Sequence, residues 1–168
     1  MTHTSDYIRI LGIDPGGTTG ISTFYCDVNE PLTAEWGLTQ LPPDAAADYI
    51  AGYVAECAQL RSSFEALGAG TAHVVIERFV PSARALTFQP DALELIGYTR
   101  HLCRQHQVPF SLQAPADAKK IAPNELLRSL GAYRRNTPHG WDAARHVVLH
   151  LHKTYPAFLR TLRGKADG

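Results

Sequence analysis

The sequence predicts an α/β domain: a central mixed sheet of five strands, in the order β-β-β-α-β-α-β-α, flanked by helices. Three observations predict it. Three strand-like runs follow one another in the first forty residues with only turns between them. Two later apolar runs are set apart from their neighbours by stretches with the three- and four-residue recurrence of an amphipathic helix. And two of the apolar runs end in a single carboxylate, Asp14 and Glu77, which puts an acid at a strand end, where an unpaired charge buried in the core would be costly.

The elements can be justified in order. Tyr7-Ile8-Arg9-Ile10-Leu11-Gly12-Ile13 reads as a buried strand. Asp14-Pro15-Gly16-Gly17-Thr18-Thr19-Gly20 cannot continue it; this turn lets the backbone come close to a ligand. Ile21-Ser22-Thr23-Phe24-Tyr25 alternates like a half-buried strand, Asp27-Val28-Asn29-Glu30-Pro31 turns, and residues 33–40 complete a meander stopped by Pro42-Pro43. Asp44 reads as the N-cap of a helix over residues 44–67, with Ile50, Tyr53, Val54, Cys57, Leu60, Phe64 and Leu67 on one face and Gly68 and Gly70 at its end. His73-Val74-Val75-Ile76-Glu77 is the fourth strand. Pro90-Asp91 opens a second helix with Leu93, Ile96, Gly97, Leu102 and Cys103 inward, and Pro109-Phe110-Ser111-Leu112-Gln113 is the fifth strand. Pro115 suits the first turn of a helix carrying Lys119 and Lys120. A helical piece over residues 124–130 ends at Gly131, a basic loop covers residues 133–138, and a long helix rich in Ala, Val and Leu runs from His139 to about Tyr155. Pro156 breaks it, and the basic end from about residue 156 is expected to fray.

At 168 residues with 45% hydrophobic composition, the chain is expected to form a single domain spanning residues 1–168, with a sizeable core. Its first residues lack the basic start and apolar stretch of a signal peptide, and no apolar run approaches membrane-spanning length. A cytoplasmic protein with no membrane partner is expected. Cys26, Cys57 and Cys103, odd in number and without CxxC spacing, suit free thiols. The zero net charge conceals a segregation. Residues 1–77 hold ten acids and only Arg9 and Arg61 as basic residues, whereas residues 78–168 hold fourteen basic residues and six acids. Segregation of this kind points to a basic face for a polyanion, through Arg134, Arg135, Lys119 and Lys120, with Arg78 and Arg84 near the rim.

If the strands ending in Asp14 and Glu77 are neighbours, both carboxylates lie at one edge of the sheet. A third acid, Asp142, falls in the first turn of the last long helix, with His139 three residues before it and His146 four residues after it. Three carboxylates and an imidazole can hold a pair of divalent cations, and an oxygen-rich set suits Mg²⁺ or Mn²⁺. Two such ions about 4 Å apart activate a water and stabilise the leaving oxygen in phosphodiester hydrolysis. Each residue also has an ordinary structural use: Asp14 in a turn, Glu77 at a solvated strand end, Asp142 as an acid favoured by the helix dipole, the histidines on a helix surface. The repeat of an acid at two strand ends, with further ligands from one helix, favours the site.

Four stretches carry a resemblance: Ile13-Asp14-Pro15-Gly16-Gly17-Thr18-Thr19-Gly20, Val75-Ile76-Glu77-Arg78-Phe79, Ala114-Pro115-Ala116-Asp117-Ala118-Lys119-Lys120 and His139-Gly140-Trp141-Asp142-Ala143-Ala144-Arg145-His146. In order and spacing they resemble the four motif regions of RuvC-type Holliday junction resolvases. More narrowly, the chain is similar to the RuvC-like resolvases of actinobacterial bacteriophages, which would act in the host cytoplasm. The resemblance implies an RNase H-like fold, a homodimer, and a Mg²⁺-dependent endonuclease that nicks four-way junctions symmetrically. By motif position it assigns metal-binding carboxylates to Asp14, Glu77 and Asp142, the fourth ligand to His139, and a place beside the scissile phosphate to Lys119. Many relatives have Asp at the position of His139. Imidazole is a poorer partner for Mg²⁺ than carboxylate, so Mn²⁺ is expected to substitute. His146 competes with His139 for the fourth role. Phe79, shortly after the glutamate, matches an aromatic residue that stacks on an unpaired base at the junction centre; the alternative for this ring is packing in the core.

Other classes share parts of the pattern. Actin-like ATPases use an acid-glycine turn, but they need a second lobe and a second such turn, and this chain has neither; no nucleotide cofactor is expected. A non-catalytic nucleic-acid binding module would keep the basic half without needing Asp14, Glu77 and Asp142 together. An RNase H-like nuclease acting on an RNA–DNA hybrid or on other branched DNA shares fold and metal site, so the motifs leave it open.

Overall fold

In the computed structural model, which describes residues 7–64, 71–79 and 90–164, β1 (Tyr7–Asp14) is the middle strand of the sheet. β2 (Thr19–Asp27) and β3 (Glu35–Leu41) follow as an antiparallel meander, with a 3-10 turn at Pro31–Thr33 between them. After α1 (Pro43–Phe64), β4 (Thr71–Glu77) pairs parallel to β1 on its other side. After α2 (Pro90–Gln105), β5 (Phe110–Gln113) pairs parallel to β4. The strand order is β3-β2-β1-β4-β5. Four helices complete the chain: α3 (Pro115–Ile121), α4 (Asn124–Ser129), α5 (Pro138–Thr154) and α6 (Pro156–Gly164). This is the mixed five-stranded sheet flanked by helices that the sequence predicts.

Strand alternation divides the core between the two faces. Ile8, Ile10, Phe24, Cys26 and Val75 pack with Ala144, Val147, Val148 and Leu151 of α5 and with Leu159 and Leu162 of α6. Their neighbours along the strands, Leu11, Ile13, Ile21, Val74 and Ile76, pack with Ala46, Ile50, Val54 and Cys57 of α1 and with Leu95, Ile96 and Cys103 of α2. The three cysteines are buried and none is in a disulfide. Among the described residues no helix is long and apolar enough to cross a membrane.

Two glycines bring α5 onto the sheet. A Cβ at Gly12 would collide with the carbonyl oxygen of Ala143 and the side chain of Val147. One at Gly20 would collide with the carbonyl group of His139. Backbone therefore meets backbone, and the first turns of α5 lie against the ends of β1 and β2.

Three details differ from expectation. The inward face of α2 is made by Ala92, Leu95, Ile96, Thr99 and Cys103, whereas Leu93 and Gly97, expected inward, are exposed. α1 begins at Pro43, with Asp44 inside its first turn and not at the cap; proline suits the first helical position because its missing N–H has no intrahelical partner there. Residues 65–67, expected to continue this helix, lie outside the described residues. Residues 156–164, read from the sequence as a basic end after a break, form a helix. Pro156 starts a new helix, and the spacing of Leu159 and Leu162 places both in the core while Arg160 and Arg163 stay exposed.

Candidate active site

β1, β4 and β5 run parallel, so their C-terminal ends share one edge of the sheet. Ile13 stands opposite Ile76, and Glu77 opposite Gln113, which makes Asp14, Glu77 and Gln113 the last residues of three adjacent strands. Asp14 shares the alternation phase of Ile10 and Gly12, and Glu77 that of Val75, so both lie on the α5 face. The turn after Asp14 is closed by Thr19, whose hydroxyl donates to the Gly16 carbonyl at 3.1 Å.

Each of the three acids meets a basic side chain of α5. His139 Nδ1 lies 3.3 Å from Asp14 Oδ2. His146 Nε2 lies 2.9 Å from Glu77 Oε2. Arg145 Nε donates to Asp142 Oδ1 at 3.0 Å. The same guanidinium donates to the Ala122 carbonyl and to the Asn124 side-chain oxygen, tying Asp142 to the junction of α3 and α4. His146 is 1% exposed and its other ring nitrogen, Nδ1, lies 3.0 Å from Gln113 Oε1. His139 is the exposed member, 46% accessible at its side chain, so it borders solvent while His146 does not.

Burial first, and then the negative charges of Glu77 and Asp142, push Asp14 up to about 6, with His139 pulling the other way. The negative charges of Glu77 and Asp142 are thus felt at Asp14. A cation bound at this edge would offset them. The donor set, three carboxylates and an exposed imidazole, has the hard-oxygen character that Mg²⁺ and Mn²⁺ take. Among the described residues no three His, Cys, Asp or Glu side chains already close into a metal-holding cluster; Glu77 is turned to His146, Asp142 to Arg145 and Asp14 to His139.

The remaining sequence-predicted residues fall around this edge or apart from it. Lys119 and Lys120 are exposed on α3, which packs against α5. Arg78 is exposed just past β4, its backbone N–H donating to the Gln113 carbonyl at 2.8 Å. Arg134 and Arg135 are exposed on the loop before α5. That loop is pinned: the Trp141 indole N–H donates to the Arg134 carbonyl at 2.6 Å, and the Thr137 hydroxyl donates to the same oxygen at 3.1 Å. Phe79 is half-buried and packs against the cluster beneath α1 and α2. Arg84 lies outside the described residues.

Sequence reasoning missed Arg145 and Gln113. Arg145 had a signal, an acid three residues before a base on one helix. Gln113 had one only in retrospect, as the polar end of the third parallel strand.

The fold is similar to that of Thermus thermophilus RuvC, with a TM-score of 0.53 at 16% identity over 92% of this chain and 96% of that one. T. thermophilus RuvC in complex with Holliday junction substrate gives 0.50 at 16% identity over the same shares. The yeast mitochondrial Holliday junction resolvase Ydc2 gives 0.42 at 15% identity, over 97% of this chain and 85% of that one. No protein-family model matches the sequence, and no curated protein matches it significantly. The likeness to RuvC establishes the fold: a mixed sheet in the 3-2-1-4-5 order, flanked by helices, of the RNase H-like kind.

Proposed function

We propose that this chain is a divalent-metal-dependent endonuclease acting on branched DNA, and that it resolves four-way junctions by paired symmetric nicks. The observation that carries the reading is that Asp14 and Glu77 end adjacent parallel strands on the face covered by α5, the helix that bears Asp142 and reaches both strand-end acids through His139 and His146. Support comes from the RuvC-like fold, one of whose solved examples is a complex with a Holliday junction. The narrower kinship to phage-encoded resolvases rests on the four motif regions alone.

Asp14, Glu77 and Asp142, with His139 as the fourth member, would hold two Mg²⁺ ions, Mn²⁺ substituting. When bound, such ions activate a water and stabilise the leaving oxygen of a phosphodiester. The chain's own part is to gather the acids and bring the phosphate to them. Gly12 and Gly20 seat α5, and thereby His139 and Asp142, on the ends of β1 and β2. Arg145, also on α5 and anchored to Ala122 and Asn124 where α3 meets α4, holds Asp142 in place. Lys119, on the helix leaving β5, would neutralise the phosphate under attack. Lys120, Arg78, Arg134 and Arg135 would contact the flanking backbone. Two nicks related by the symmetry of a four-way junction call for two copies of the site, hence a homodimer.

The test is Mg²⁺-dependent nicking of a synthetic four-way junction beside linear duplex and RNA–DNA hybrid controls. Asp14→Asn, Glu77→Gln and Asp142→Asn should each abolish nicking while junction binding stays within a few-fold or tightens, because affinity comes mainly from Lys and Arg on phosphates. Any of these variants that folds and cuts at the wild-type rate removes its residue from the site. Faster cutting of the hybrid than of the junction would replace the substrate.

A further inference from the structure

We infer that His146 and Gln113 form a positioning pair that sets the orientation of the Glu77 carboxylate, an inference resting on the reading of Glu77 as a metal-holding acid. Glu77 and Gln113 stand opposite each other at the ends of parallel β4 and β5. His146 reaches across from α5 and engages both, Nε2 at 2.9 Å from Glu77 Oε2 and Nδ1 at 3.0 Å from Gln113 Oε1. The residues around it on the helix, Ala143, Ala144, Val147, Val148 and Leu149, are buried and apolar. A polar ring at 1% exposure in such a place has no water to turn to, so its two nitrogens are committed to these two partners.

With Glu77 ionised, as a metal-holding acid must be, the protons can be arranged in two ways. In one, both ring nitrogens carry hydrogen, and an imidazolium donates to the carboxylate and to the amide oxygen. In the other, the Gln113 amide is turned to donate to Nδ1, and a neutral ring keeps its hydrogen on Nε2. Both arrangements aim an N–H at Glu77 Oε2. Gln113 therefore orients the ring, and the ring orients the acid. Glu77 is 23% exposed at its side chain and carries three rotatable bonds, freedom that this hydrogen bond removes. Oε1 is the oxygen the imidazole leaves uncommitted. Outer hydrogen-bond partners of this kind orient ligating carboxylates, and their loss typically costs about 10–100-fold in metal affinity.

The experiment is Mn²⁺ binding by the DNA-free protein, read from the electron paramagnetic resonance signal of the uncomplexed aqueous ion, with a melting curve for each variant. Asp14→Asn serves as reference and should lose binding. His146→Phe keeps the ring volume and removes the donor; it should weaken Mn²⁺ binding by roughly ten-fold or more. His146→Gln returns an amide N–H near the position of Nε2 and should recover most of that loss, which a purely packing role would not produce. Gln113→Leu should weaken binding by a smaller factor. If Asp14→Asn binds Mn²⁺ as wild type does, the metal reading of the acids fails and the inference falls with it. If Asp14→Asn loses binding while folded His146→Phe and Gln113→Leu keep wild-type affinity, the acids stand and the positioning pair is overturned. Failure of His146→Gln to recover what His146→Phe loses overturns it equally. Should His146→Phe not fold, Gln113→Leu decides alone: wild-type affinity refutes the pair.

Discussion

Alanine at Gly20 is the sharpest test of how the site is assembled. The added methyl would meet the carbonyl carbon and oxygen of His139 and the backbone nitrogen of Gly140, all in the first turn of α5. No rotamer change clears backbone atoms, so the first turn of the helix must lift from β2, carrying His139 away from Asp14. Overpacking of this kind costs about 1–3 kcal/mol, and an obstruction made only of backbone belongs at the upper end, roughly 2–3 kcal/mol. In a domain of this size 1 kcal/mol moves Tm by about 2–4 °C, so Gly20→Ala should melt about 5–10 °C below wild type. Gly12→Ala, whose methyl would meet the Ala143 carbonyl oxygen less closely than that of Gly20→Ala meets the His139 oxygen, should lose somewhat less. The controls are Gly52→Ala in α1 and Gly97→Ala in α2, where an added Cβ meets no described atom within 4 Å. Helix-interior Gly→Ala should stabilise each by about 0.5–1 kcal/mol. Thermal melts followed by circular dichroism, with junction nicking assayed beside them, give the answer. Gly20→Ala melting and cutting like wild type would refute the close seating of α5 as the device that places His139 and Asp142.

Three further outcomes are expected. Burial, and next the neighbouring His150, hold His73 down to about 4, so the fold keeps it neutral while the unfolded chain protonates near 6.5. Its contribution is complete above pH 6.5 and lost as pH falls toward 4, about 1–2 kcal/mol after discounting for partial exposure; the urea stability of wild type minus that of His73→Gln should shrink over that window, and a constant difference would contradict the assignment. The double change Arg134→Ala/Arg135→Ala should weaken binding to every DNA sequence about equally and flatten its salt dependence, so salt-insensitive wild-type binding would count against the polyanion face. Phe79→Ala should lower stability by about 1–2 kcal/mol because the ring packs against the α1/α2 cluster, with Phe79→Leu recovering most of it; an unchanged melting temperature in Phe79→Ala would take the ring off the core and leave it for the substrate.

Local pattern was enough for much of this chain. Apolar or alternating runs and the Pro/Gly turns between them marked all five strands, three- and four-residue recurrence marked the longer helices, and two strand-ending acids with a third on the last long helix marked the sheet edge proposed as the site. These are short-range signals, because propensity, turn geometry and burial phase act over a few residues. They failed where a hydrophobic pair was too brief to outweigh basic neighbours, as in α6, read as a frayed end although Leu159 and Leu162 are in the core. Tertiary structure alone decided the strand order, the close seating of α5 on Gly12 and Gly20, and the partner of each acid. His146 meets Glu77 across 69 residues of sequence, and His139 meets Asp14 across 125. Whether a buried imidazole bonds to one strand end or to two depends on helix height and strand register, which packing of the whole sheet sets and no window of sequence contains.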